Sequence, residues 1–315
     1  MDMNHFITRR TALKRLLKIS GSLALYASSA WSFRGPGSAW AKSEKKGLIV
    51  EGVGQTEGYS VRELTRKVLE AAGGITRFVS RGDVVVIKPN LSWARRPDLG
   101  ATTNPEVLEG LIEICYEAGA KKVRIADHTI HDARRCFAIT GAATVAKKTN
   151  ADLIYPRSSL MKNMKLNGHR LDVWPVFVPL VEADKVINLP VAKHHSLSTL
   201  TLGIKNWIGA VGGRRHALHQ DIHQSTVDLA QFFNPTLILI DATRIMIKNG
   251  PSGGSLSDVA AKNTLILSDD QVAADALAAM LFGYRPEEIG SISLAKKWGL
   301  GTYDFRQLDQ KKVIL

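Results

Sequence analysis

The sequence predicts an α/β fold: a single large domain on a mainly parallel sheet flanked by helices, with a small excursion near residues 157–175. Three observations carry that expectation. Short apolar, β-branched runs alternate with longer helical stretches along most of the chain. One run, Val84-Val85-Val86-Ile87, is apolar at every position, as in a strand buried on both faces. No internal repeat or low-complexity tract breaks the alternation.

Each element has its own local signal. Residues 47–50 read as the first strand, and residues 61–72 as a helix stopped by Gly73-Gly74. The unbroken apolar strand covers 83–88. Asn104-Pro105-Glu106 supplies an N-cap, a proline at the first helical position and an acid in the first turn, opening a helix that runs to Ala118 and stops at Gly119. Residues 122–126 are the next strand, and 133–148 a helix weakened at Gly141. Strands follow at 153–155, an edge-like 176–178, and 185–189, with a hairpin expected around Asn167-Gly168. Residues 217–232 read as a polar helix, 236–240 and 264–267 as strands, and 271–281 as a helix ended by Gly283.

Residues 1–41 stand apart. Thr8-Arg9-Arg10-Thr11-Ala12-Leu13-Lys14 precedes a modest apolar run over 16–31, then Gly35-Pro36-Gly37 and Ala39-Trp40-Ala41, a small-x-small cleavage pattern. Lys18, Ser20, Gly21 and Ser22 dilute the run, which is too weak to span a bilayer. The pattern resembles a bacterial twin-arginine leader, with Ala12 where phenylalanine is usual. It implies a signal peptide over 1–41, a domain over 42–315, the twin-arginine translocase as partner during export, and a periplasmic or otherwise exported destination. No other apolar segment reaches membrane-spanning length, so the mature chain is expected to lack a stable transmembrane segment.

Lysine and arginine total 42 against 29 acidic residues, a net charge of +13 that favours anionic partners. No basic helix or aromatic-interleaved patch marks a nucleic-acid surface, and no such partner is expected. The two cysteines, Cys115 and Cys136, cannot hold an iron–sulfur cluster or a four-cysteine zinc site. Whether they pair is left open by their spacing.

In open parallel sheets ligands bind beyond the carboxyl ends of the strands. Here those ends deliver Lys88-Pro89-Asn90, Asp127-His128, Lys193-His194-His195, Asp241 and Asp269-Asp270. Each residue alone is more commonly a turn or cap; as a set they point to a ligand site. His216, His219 and His223 recur at i, i+3, i+7, which places three imidazoles on one face of an α-helix and makes them candidate ligands for a transition metal ion. A solvated helix face would show the same spacing. Between these clusters Lys205, Asn206, Arg214 and Arg215 stand among glycines, suited to pairing with carboxylate or phosphate. Gly253 and Gly254 lie in a second glycine-rich segment whose amides could form an anion nest. Neither segment matches a Walker loop or a dinucleotide fingerprint.

Lys88-Pro89-Asn90, the Lys193-His194 turn, Gly203-Ile204-Lys205-Asn206, the 241–254 segment and Asp270-x-x-Ala-Ala-Asp275 resemble the DUF362 family over about residues 48–290. That resemblance implies a common site but supplies no reaction. Some members carry ferredoxin-like iron–sulfur modules, whose cysteine clusters this chain lacks. Two functions remain open from the residues. One is a metal-assisted enzyme on a small anionic substrate, with His216, His219 and His223 holding the ion, joined by His194 or His195. Asp127 or Asp241 would then serve as base, and Lys88, Lys193, Lys205 and Arg214 would orient the anion. The other is a non-catalytic protein that captures an anion, cofactor or partner.

Overall fold

Burial on both faces governs the centre of the molecule. The computed structural model describes residues 47–55 and 58–315; the leader-like residues 1–41 and their cleavage pattern lie outside the described residues. The first strands are β1 (Leu48–Val53), β2 (Val84–Pro89), β3 (Lys122–Ala126) and β4 (Asp152–Ile154). Around them come helices α1 (Val61–Ala71), α2 (Pro105–Glu117), α3 (Ala133–Ile139) and α4 (Ala142–Thr149). Strands β5 (Met161–Lys165) and β6 (Val173–Phe177) form the excursion. The chain returns through β7 (Lys185–Leu189), β8 (Val191–His195), β9 (Thr199–Thr201), the short α5 (Gly203–Asn206) and α6 (Ile222–Phe233). It closes with β10 (Leu237–Met246), β11 (Val259–Ser268), α7 (Gln271–Met280), α8 (Gly290–Lys297) and β12 (Asp309–Ile314).

The sheet runs β12-β1-β11-β10-β7-β2-β3-β4, with β8 extending the ladder along β10 and β9 paired to β8. Pairing is parallel except where β11 meets β1 and β10, and between β8 and β9. From β2 the chain winds outward through β3 to β4, then returns to β7 on the other side of β2. The crevice between the ends of β2 and β7 is therefore a topological switch point, where open α/β sheets bind ligands.

Side chains alternate across this sheet into two apolar clusters. Val85 and Ile87 of β2 face one way, with Leu64, Val68, Leu108 and Leu111 of α1 and α2. Val86 faces the other, with Leu229, Ala273, Ala276 and Ile292 of α6, α7 and α8. The signals at the helix ends act as expected: Asn104 accepts from the Glu106 amide, and Gly141, at φ +82°, separates α3 from α4. Cys115 and Cys136 are buried and unpaired; burial pushes their thiols up, to about 12 and about 11. No helix among the described residues is long and apolar enough to cross a membrane.

Three differences from the sequence reading bear on the site. Strand 176–178 lies instead at 173–177, in a separate antiparallel pair with β5. The Asp228 carboxylate of α6 holds the turn of that hairpin by accepting from the amides of His169, Arg170 and Leu171. Residues 215–221 form a 3₁₀ segment, and α6 begins only at Ile222, where Asp221 caps it through the Gln224 amide. The i, i+3, i+7 face of His216, His219 and His223 therefore does not exist as one α-helical surface. Finally β10 and β11 are ten residues each, about twice the apolar runs that announce them, and their outer halves continue the antiparallel pairing while β8 joins the other edge of β10.

Candidate functional site

The site grows from the β2–β7 crevice. Lys88, the last side chain of β2 before its terminal proline, has no solvent exposure and sits opposite Asn188 of β7. Its ammonium donates to Asp127 Oδ1 at 2.7 Å, to the Pro89 carbonyl at 2.8 Å and to Asn206 Oδ1 at 3.1 Å. Asp127 Oδ2 accepts the Leu91 amide at 2.7 Å, so the carboxylate ties the ends of β2 and β3 together. Burial pulls the Lys88 amine below its ordinary value against the attraction of Asp127. Gly209 covers this pair, and a Cβ there would collide with Asp127 Oδ1 and Lys88 Nζ.

Asn206 donates to Asn188 Oδ1 at 2.8 Å, and Asn188 donates to the Gly203 carbonyl at 2.9 Å. From the other side, Asp275 of α7 accepts the amides of Gly203 and Ile204 at 2.7 and 2.9 Å. Burial pushes that carboxyl up to about 7, against the two amides that lower it. Gly203 has to be glycine, because a Cβ would meet Ile238 and Asp275. The four-residue α5 is thereby clamped at both ends, and it carries Lys205.

Above the clamp opens a cavity of about 310 Å³. It is lined by Asn90, Ser92 and Trp93 after β2, Ile130 after β3, Lys193, His195, Ser196 and Leu197 of β8 and its turn, and Thr201 of β9. Lys205, Asn206, Ile208, Gly209, Arg215, His219 and Pro251 complete it. Among the described residues no carboxylate lines it. Lys193 is buried, donates to the Ala101 carbonyl, and is lowered to about 7 by desolvation and then by the nearby charge of Lys205. Lys205 is half-buried on the cavity wall, and desolvation lowers it to about 7 as well. Among the described residues no carboxylate or hydrogen-bond acceptor is paired with its amine. Thr201 Oγ1 is also buried without a partner.

The imidazoles here are neutral. His195 Nδ1 accepts the Leu197 amide at 3.1 Å, which leaves the proton on Nε2. Burial, then Lys205 and His219, push its pKa down to about 3. His219 stacks on it with ring centroids 6.3 Å apart and is lowered by burial too. Arg215 commits its guanidinium to the carbonyls of His128 and Thr129, pinning the loop after β3 to the cavity wall.

Of the residues singled out from sequence, Asn90, Lys193, His195, Lys205, Asn206, Arg215 and His219 meet at this cavity. The others do not. Lys88 and Asp127 form the ion pair beneath it. Asp241 accepts from the Asn104 amide and from Thr243, a buried connection between α2 and β10. His194 Nδ1 accepts the Gly250 amide. Arg214 and His216 face solvent. His223 packs against Gly290 with its Nδ1 buried and unpartnered. Gly253 lies against Met246, and no described atom comes near a Cβ at Gly254, so the expected glycine nest does not line the cavity. Among the described residues no group of three or more His, Cys, Asp or Glu side chains is placed to hold a metal ion. Thr201, Trp93 and Ile208 escaped the sequence reading: nothing in a threonine or an apolar side chain marks it as cavity-facing until the strands around it are placed.

Comparison with known proteins adds context. A family model described as a domain of unknown function, DUF362, matches residues 85–280. A thylakoid-associated protein, sll1697, of Synechocystis sp. is 27% identical over 259 residues, covering 78% of this chain and 77% of that one. Among solved structures, the lactate racemase apoprotein from Thermoanaerobacterium thermosaccharolyticum aligns at 14% identity with a TM-score of 0.44 over 76% of this chain, which spans 57% of that structure's length.

Proposed function

This chain belongs to the DUF362 family, a domain of unknown function, and from that premise and its cavity we propose that it binds a small anionic ligand, a carboxylate or phosphate, at the β2–β7 crevice. The observation that carries the reading is the lining: Lys193, Lys205 and Arg215 with neutral His195 and His219, two unpartnered groups in Lys205 and Thr201, and no carboxylate. Unmatched donors in a half-closed cavity are matched by acceptor oxygens. A metal-assisted reaction is the weaker alternative. The lining offers a divalent cation two imidazoles and three basic side chains, with no anionic ligand to offset them.

An anion stabilises the ammonium form, so it raises the pKa of Lys193 and Lys205 when it binds. Binding should therefore take up protons near neutral pH and weaken as pH rises above about 7. Calorimetry with acetate, pyruvate and inorganic phosphate, repeated in two buffers of different ionisation enthalpy, measures that uptake. Absence of binding by every anion at pH 6 would end the proposal. Elemental analysis of untagged protein tests the alternative: about one equivalent of a transition metal, lost in His219→Ala, would favour it.

We also propose that the protein works beyond a membrane. The twin-arginine pattern at residues 8–14 supports this, as does the thylakoid association of the relative. Residues 1–41 fused to a folded reporter should direct its export, and replacing Arg9 and Arg10 by lysine should block it. Export that ignores the arginines would redirect the reading to another route.

A further inference from the structure

The three basic side chains at the cavity are not equivalent. Arg215 is engaged by two backbone carbonyls and Lys193 by one, whereas the Lys205 amine has no acceptor among the described residues. It is also held by its flanks: Asp275 clamps the amides just before it, and Asn206 just after it is locked between Lys88 and Asn188. Such an arrangement wastes an ammonium, which needs counter-charges around it. It suits an amine held ready for a bond. Lys193 beside it supplies N–H donors, Thr201 a spare hydroxyl, and Trp93 and Ile208 an apolar wall.

We infer that the ligand is a 2-oxo acid whose carboxylate is held at Lys193 and Thr201 and whose carbonyl carbon is taken by Lys205 Nζ as an imine; this rests on the anion reading above. The Nζ lone pair forms the C–N bond while the carbonyl π pair moves to oxygen. The carbinolamine oxygen then leaves as water with both amine hydrogens as the C=N bond closes. No oxidant or reductant enters. Desolvation keeps a large part of the Lys205 amine neutral near pH 7, as attack requires.

The test is reductive trapping. The full chain is incubated at pH 7 with pyruvate or glyoxylate and cyanoborohydride, with acetate and lactate as controls of equal charge, and read by intact mass and peptide mapping. The expected result is one reduced adduct at Lys205, formed at least about tenfold faster than at surface lysines, whose amines stay protonated at this pH. The adduct should be absent in Lys205→Arg, with circular dichroism confirming that the variant folds. Melting curves with the same compounds separate the two layers of argument. Equal stabilisation by acetate and pyruvate without an adduct overturns the imine and leaves anion binding standing. No adduct and no stabilisation overturns both, and an adduct confined to Lys193 or to surface lysines overturns the assignment to Lys205.

Discussion

At the scale of single residues, the buried Lys88–Asp127 pair is the most exposed to mutation. Lys88→Met would leave the buried Asp127 carboxylate without its counter-ion, at a cost of about 3–5 kcal/mol. Adding Asp127→Asn should recover much of that loss, and urea unfolding of the two variants checks it. Lys205→Met points the other way. It removes an amine whose protonation burial opposes, so it should stabilise the unliganded protein at pH 7 by roughly 1 kcal/mol while weakening anion-induced stabilisation. A destabilised variant with an undiminished response to anions would argue that Lys205 is structural. Lys88 and Lys193 were legible as strand-end residues, and Lys205 as a basic residue among glycines. The roles of Asp127 and Asp241 were not, because each carboxylate is satisfied by amides remote in sequence: Leu91 for one and Asn104 for the other. A sequence shows that an acid follows a strand, but not which N–H groups reach it.

Among the elements, α5 and the β5–β6 turn are each held by a carboxylate that accepts backbone amides, Asp275 for the one and Asp228 for the other. Asp228 gathers three amides of the β5–β6 turn and the Gln224 side chain. Asp228→Ala should cost about 1–3 kcal/mol and speed amide exchange across residues 161–177 more than in the sheet. Uniform exchange would show that the hairpin is held by its apolar contacts instead. The hairpin itself was legible from Asn167-Gly168. The helix over 217–232 was overextended, although Asp221 with Gln224 three residues later spelled a helix start in the sequence. That one boundary takes His216 and His219 off the α-helix that carries His223.

For the molecule as a whole, the buried amines dictate how stability answers to pH. Lys193 and Lys205 sit near 7 in the folded protein against an ordinary 10.5. Across that interval the unfolded chain binds more protons, so stability should rise with pH from about 7 to 9, by at most about 1.4 kcal/mol per unit for each lysine. Below pH 7 Asp275, raised, and His195, depressed, act in opposite directions, and above pH 9 the buried thiols begin to oppose the trend. Thermal melts between pH 7 and 9 give the clean slope, and a flat profile would mean the amines are hydrated. The parallel core of the sheet was legible because β2, β3 and β7 announce themselves by composition. The edge was not: β12 is Asp-Gln-Lys-Lys-Val-Ile, half of it charged and most of it exposed, as edge strands are.

The place of β1 between β11 and β12 has a consequence for how the protein is made. The first described strand to leave the ribosome finds no ladder until strands near the other end of the chain have followed it. Contacts of such sequence separation are slow to form. Through most of translation, then, Leu48 and Val50 have nothing in the sheet to pair with, and this strand is where a nascent-chain chaperone should be found.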